Sequence, residues 1–311
     1  VKRGISAILF GGTLRATPLR EAIGCPTLAL PIDADRTLAD VWLERLIDDG
    51  GVDEVRSVLN SSEDVDAVIE AVADHRISGD ASFRGLADPA SWRGAGGIVY
   101  DVTRDMESTE IVIVAEGHRL PPMSLQPVLD AFSDATIDGV VGVCGQDEPA
   151  GVYAFRRHAV DTVSDVGYCD LKEQMLPALR EVGHELIAVH LGPRPTTPIR
   201  DRSTYLRAVR EALRPTEANT FVVASSAQVD STALLDGICL LGDRVTVDAG
   251  AVVHNAILLP DAFIGAGAVV SESVVGPAGR VETGGRLVAA LRGAPHRPDR
   301  IVRDRHVVGV R

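Results

Sequence analysis

Residues 5–31 read ISAILFGGTLRATPLREAIGCPTLALP. Ile5, Ala7, Ile8, Leu9 and Phe10 run apolar without the alternation of a strand that has one wet face, which predicts a central parallel strand covered on both sides. Gly11 and Gly12 follow at once. Two glycines at the carboxyl end of such a strand permit unusual dihedrals and let backbone N–H groups approach an anion, as nucleotide sites in open α/β sheets require. Arg15 and Arg20 add positive charge beside the turn. A plainer reading, a strand-to-loop turn with surface arginines, fits the same residues.

Outward from this stretch, strands and helices alternate. Leu38, Val41, Trp42 and Leu46 share one face of an expected helix over 37–49, capped by Asp35 or Thr37 and closed by Gly50-Gly51. Residues 52–60 read as a strand, and Val65, Val68, Ile69 and Val72 mark the next helix. The glycine-rich SWRGAGG at 91–97 precedes a helix expected from Ile98 to Arg104. Such a turn either offers free N–H donors and a positive dipole end or simply lets the helix pack close to the sheet. A buried strand follows at 111–115 and ends in Glu116-Gly117-His118. Further strands are expected at 138–143 and 150–155, with a helix at 124–132 before them and another from about Asp170. The alternation predicts an α/β fold with a mostly parallel sheet and helices on both faces.

The motifs resemble those of the sugar-phosphate nucleotidyltransferases, which join a nucleoside triphosphate to a sugar 1-phosphate and release pyrophosphate. Gly11-Gly12, an Arg, Pro18-Leu19, then Cys25-Pro26 before Leu28 to Pro31 are similar to that family's opening, although the loop is one residue short. The resemblance continues through Val52-Asp53-Glu54 and a strand ending in Asn60, Ala95-Gly96, the strand AGVYAF at 150–155, Asp170-Leu171-Lys172-Glu173-Gln174, and Tyr205-Leu206. It implies a Rossmann-like mixed sheet, with Gly11, Gly12, Arg15, Ala95, Gly96, Glu116, Gly117 and His118 on the nucleotide. It also places Gly151, Lys172 and Glu173 by the sugar, gives Arg15 and Lys172 catalytic roles, and brings in Mg2+ if the protein is active. Besides the missing third glycine of the loop and Arg93-Gly94, three positions that carry the family's charge and metal chemistry depart from the pattern. Thr27 stands where the family has a lysine, and His118 and Pro198 stand where it has its two metal-binding aspartates. Imidazole suits zinc-type metals, whereas magnesium takes hard oxygens. Glu116 and Asp201 are the substitute metal candidates, with Asp201 also placed to cap a helix through Leu213.

The last third has a different rhythm. Val223, Val229, Leu235, Leu241, Val247 and Val253 recur every six residues and, after a slip of one, the pattern resumes at Leu258, Ile264 and Val270. Segments such as LGDRVT and IGAGAV are hexapeptide repeats of a parallel β-helix, expected to be left-handed and about three coils long. The expected organisation is an α/β domain over 1–214, a β-helix over 215–285, and an arginine-rich tail over 286–311 that caps the coil or reaches a neighbour. A short stack needs a cap or a partner, so a homo-oligomer through the β-helix is expected.

Composition narrows the function. The 311 residues carry a net charge of −13, which argues against nucleic acid or an anionic membrane as partner. Cys25, Cys144, Cys169 and Cys239 are scattered and form no C-x-x-C pair, which fits free thiols in a reducing cytoplasm. Lys2-Arg3 with its short apolar run lacks the cleavage site of a signal peptide, and no stretch reaches transmembrane length. The expected partners are a nucleoside triphosphate or nucleotide sugar and a sugar phosphate. Three functions are consistent with these residues: nucleotidyl transfer, a non-catalytic homologue that binds a nucleotide sugar or scaffolds an active partner, and acyl transfer at His254 in the β-helix.

Overall fold

In the computed structural model, residues 4–12, 16–33, 35–73, 81–88, 92–106, 110–214 and 219–293 are described. They fall into two units, the described parts of Val1–Arg15 with Cys25–Ile199 and those of Ala16–Gly24 with Arg200–Arg311.

The first unit is built on a seven-stranded sheet. Its strands are β1 (Ile5–Phe10), β2 (Glu54–Leu59), β3 (Ser82–Ala87), β4 (Ile111–Glu116), β5 (Gly139–Cys144), β6 (Glu148–Arg156) and β7 (Leu186–His190), in the order β3-β2-β1-β4-β6-β5-β7. Only β6 runs against its neighbours, so the sheet is mixed and mostly parallel. Ala7, Ile8 and Leu9 are all 0% exposed. Successive side chains of a strand point to opposite faces, so this run shows that β1 is covered on both. Burying each of the larger two contributes about 1.5–3 kcal/mol. The strand β3, which pairs in parallel with β2, has no counterpart among the expected strands, because its partly buried SFRGLA lacks a continuous apolar run.

The α-helices of the described residues are α1 (Pro18–Ile23), α2 (Leu38–Glu44), α3 (Ser62–Ala73), α4 (Gly94–Thr103), α5 (Gln126–Ala131), α6 (Arg157–Val160), α7 (Leu176–Glu181) and α8 (Arg202–Leu213). Thr37 caps α2 in a reciprocal box with Asp40. Ile98, Val99 and Val102 of α4 pack on Val112 and Val114 of β4 and on Tyr153 and Phe155 of β6. β1 joins β2 on one side and β4 on the other, and both pairings are parallel. The strand order therefore reverses beside β1, and in open sheets the crevice at the carboxyl ends beside such a reversal is where ligands bind.

The second unit consists of α1, α8 and three parallel sheets whose strands succeed one another in turn along the chain, the arrangement of a three-sided parallel β-helix. Val229, Val247, Ile264 and Val281 stack in one column. Leu241, Leu258 and Val275 stack in a second, and Leu235, Val253, Val270 and Leu287 in a third. The slip between Val253 and Leu258 is a coil one residue shorter. Val245, Val253, Leu258, Ile264 and Val270 are at most 0% exposed and fill the centre. The coil runs on through Arg286–Val288 and Leu291–Arg292, past the expected start of the tail at 286. Residues 294–311 lie outside the described residues. Both α1 and α8 pack with the coil, although the expected α/β domain of 1–214 included them. Ile23 of α1 lies against Gly276, and the Leu19 N–H donates to the Arg200 carbonyl.

Candidate nucleotide site

A cavity of about 590 Å³ opens at the carboxyl ends of β1, β2 and β4. Phe10, Val58, Leu59, Ile98, Val114 and Leu171 give it an apolar wall, enough to take a planar base. Gly12, Asn60, Asp88, Gly94, Ala95 and Tyr168 line other parts of it, and Glu116, His118, Asp170 and Lys172 bring charge and polarity. The crevice predicted by the reversal of strand order is therefore present, with residues from five expected motifs on its wall.

The backbone donors of those motifs are used differently from the sequence expectation. Gly11 and Gly12 both donate their N–H groups to the Val58 carbonyl, at 2.9 and 3.2 Å, so these donors tie β1 to β2 instead of facing an anion. The N–H groups of Gly96 and Gly97 donate to the Cys169 carbonyl at 2.9 and 3.2 Å. A Cβ on Gly96 would lie 3.0 Å from Cys169 Sγ, so this glycine admits the neighbouring segment. Close packing explains Gly96, and Ala95 alone of that pair lines the cavity. The Gly117 N–H donates to the Phe10 carbonyl at 2.8 Å and links β1 to the end of β4. Arg15 lies outside the described residues.

Arg93 is what holds the segment opposite α4. Only 2% exposed, its guanidinium pairs with Asp101 at 2.8 Å and donates to the carbonyls of Gly167 at 2.6 Å and Ser164 at 3.0 Å. A planar guanidinium with five donors can grip both oxygens of a carboxylate and reach two carbonyls at once, four bonds where a lysine has three donors. The segment leads to Tyr168, Asp170 and Lys172. Asp170 accepts from the N–H groups of Lys172 and Glu173, at 2.8 and 2.9 Å, and starts the π-type turn Leu171–Met175. Glu173 is exposed and does not line the cavity.

The turn aims Lys172 at Glu116. Lys172 Nζ lies 2.6 Å from Glu116 Oε1, and Arg119 Nε lies 2.9 Å from Glu116 Oε2. Burial by itself raises the Glu116 carboxyl, but the hydrogen bond and charge of Lys172, with Arg119 and His118, hold it below its ordinary value. Burial likewise disfavours the Lys172 ammonium, and Glu116 more than offsets it, so Lys172 is raised. Tyr153, under the lysine, is pushed up by burial and then by the Glu116 charge.

Arg119 was not singled out by any motif, yet it shapes this end of the site. Its guanidinium also donates to the Pro149 carbonyl at 3.1 Å and to Thr196 Oγ1 at 3.0 Å. Gly151 makes the room. It has φ +73, and a Cβ there would fall 2.5 Å from Arg119 Cδ and 3.1 Å from Glu116 Cβ. The space over this glycine, expected to border a sugar, is filled by Arg119.

The two positions where the resemblance puts metal aspartates do come together. The Ile199 N–H donates to the His118 carbonyl at 2.7 Å, and Arg119 and Pro198 form an antiparallel bridge. They carry an imidazole and a proline, neither of which offers magnesium a hard oxygen, and the nearby Glu116 carboxylate is committed to two cations. The residues do not fit a magnesium site. Asp201 caps α8, where its Oδ1 accepts from the Thr204 N–H at 2.9 Å. In the coil, His254 Nδ1 is 2.7 Å from Asp236 Oδ2, with the Asn255 amide nitrogen 2.9 Å from its Nε2.

No helix of the described residues is long and apolar enough to cross a membrane. No curated protein matches the chain. Residues 218–292, about a quarter of the chain, match the family model of the GMPPB C-terminal domain, so it is to that domain that the β-helix of this chain is similar.

Proposed function

We propose that the chain binds a nucleotide sugar in the cavity at the carboxyl edge of β1 and β4, and does so without carrying out metal-dependent nucleotidyl transfer. The observation that carries this reading is the pairing of Glu116 with Lys172 and Arg119, beside positions 118 and 198 that lack aspartate. A transfer site must neutralise the charge that develops on phosphate oxygens, and the loss of one preorganised charge costs about a hundredfold to a thousandfold in rate. The described wall instead carries Asp88, Glu116 and Asp170 against Lys172. A diphosphate shared with a sugar brings less negative charge into that wall than a triphosphate does, so the product-like ligand suits it better.

The sequence motifs and the coil's similarity to the GMPPB C-terminal domain support a relative of the sugar-phosphate nucleotidyltransferases. GMPPB denotes a mannose-1-phosphate guanylyltransferase, which makes a guanosine diphosphate sugar the first ligand to test. In this reading the apolar wall takes the base, Ala95 lies by the nucleoside, and Lys172 meets the phosphate next to the sugar. The coil is left-handed, as hexapeptide-repeat domains are. Its first strand, Thr220–Val223, leaves Phe221 and Val223 exposed, and association of copies through the β-helix begins at that edge.

The test is pyrophosphate release from guanosine triphosphate and mannose 1-phosphate with magnesium, run on the full chain beside His118→Asp/Pro198→Asp. The expected result is no turnover above background for the natural chain. Turnover at an ordinary enzymatic rate, about 1 per second or more, would establish the second reading, an active transferase using other ligands.

A further inference from the structure

At the opposite edge of the sheet from the cavity, three side chains from separate segments converge. Asp138 immediately precedes β5, His158 lies on α6 and His184 lies in the turn before β7. His158 Nε2 is 2.8 Å from Asp138 Oδ1, and His184 Nδ1 is 3.0 Å from Asp138 Oδ2. The three ligand atoms lie within 4.8 Å of one another, and the imidazole centroids are 5.6 Å apart. Among the described residues, this is the group of three potential metal ligands that closes to such a distance.

We propose that Asp138, His158 and His184 bind a divalent transition cation of the zinc type. Two imidazoles and one carboxylate are the donor set that such a borderline cation takes, and magnesium and calcium do not. With bonds of about 2.0–2.2 Å, tetrahedral ligands sit about 3.4 Å apart, so the two carboxylate–imidazole separations of 2.8 and 3.0 Å need to open by about half an ångström to admit the ion. His158 is 62% exposed at its side chain, which leaves an entry path and room for water in the fourth position. Outer contacts already orient the carboxylate: the Glu185 N–H donates to Asp138 Oδ2 at 3.1 Å. The Asp138 N–H donates to the Glu185 carbonyl, and the Asp138 carbonyl accepts from the Arg156 N–H. The main chain thereby fixes the ligand that both histidines face.

The position assigns the ion a structural role. β5 and β7 are parallel and β6 antiparallel, so the start of β5, the end of β6 and the start of β7 meet at one edge. The nucleotide cavity lies at the carboxyl ends of β1, β2 and β4. A cation held by these three side chains clips three segments together there. The clip stabilises the fold in proportion to its occupancy and leaves the cavity unchanged.

The experiment is calorimetric titration of the untagged full chain with zinc chloride, paired with the visible spectrum after cobalt(II) is added. The expected result is saturation at one equivalent in the micromolar range, cobalt bands of tetrahedral intensity, and a thermal midpoint that rises with zinc. His158→Ala removes an exposed ligand and should weaken zinc at least tenfold and abolish the cobalt bands. His184→Gln keeps a polar partner for Asp138 and should do the same. Failure of the natural chain to bind zinc, or equal binding by it and both variants, would overturn the assignment.

Discussion

Replacement of Gly151 by alanine is a sharp probe of how this site is built. At φ +73 an alanine costs about 1–2 kcal/mol in the backbone alone. Its methyl would also sit 2.5 Å from Arg119 Cδ. That atom is mid-chain, and the guanidinium beyond it is held by Glu116, Pro149 and Thr196, so it cannot swing away freely. Loss of even one charge-assisted hydrogen bond adds about 1.5–3 kcal/mol, for a total of roughly 2.5–5 kcal/mol. At about 2–4 °C per kcal/mol for a unit of this size, the calorimetric transition of Gly151→Ala should fall by about 10 °C. In an Arg119→Ala background the clash with Cδ vanishes and only the 3.1 Å approach to Glu116 Cβ remains, so adding Gly151→Ala should cost little beyond the backbone's about 1–2 kcal/mol. Equal costs in the two backgrounds would refute the claim that Arg119 fills the space over Gly151.

Three other outcomes follow from particular contacts. Glu116 is depressed below its ordinary value of 4.5, so its contribution is present above the unfolded pKa and is lost as pH falls through the folded one. Thermal scans of the natural chain and Glu116→Gln should therefore differ near neutral pH and converge in acid; a gap that stays constant with pH would contradict the pairing. Arg93→Lys should cost about 3 kcal/mol or more, because Asp101 and two carbonyls lose a planar donor set, and it should weaken ligand titrations by disordering the segment with Tyr168 and Lys172. Ile264→Ala, at a fully buried rung of the coil, should destabilise the second unit by about 2–5 kcal/mol, measured by the calorimetric transition of that unit.

Much of the architecture was legible in the chain because it rests on periodicity. The continuous apolar run at β1 and the six-residue rhythm from Val223 each admit few arrangements. β3 escaped because its side chains are partly buried and follow neither pattern. The end of the coil escaped because Arg286 and Arg292 occupy strand positions in its last turn, where charge reads as tail. In the site, motif positions far apart in the chain meet: Gly12, Ala95, Glu116, His118 and Lys172 all line one cavity. The use of each group was not legible. Whether the Gly11 N–H meets an anion or the Val58 carbonyl depends on a strand far along the chain. The partnership of Arg119 with Gly151 and Glu116 arises only when β4 and β6 pair, and no local spacing signals it. Asp138, His158 and His184 are likewise spread over three elements.

The central claim is that the cavity holds a nucleotide sugar without help from magnesium. Calorimetric titration of the full chain with a guanosine diphosphate sugar, once with magnesium and once with a chelator, tests it most directly. The account predicts saturable binding with the same affinity in both, lost in Lys172→Met. Binding that requires magnesium, or no binding by the natural chain in either condition, would contradict it.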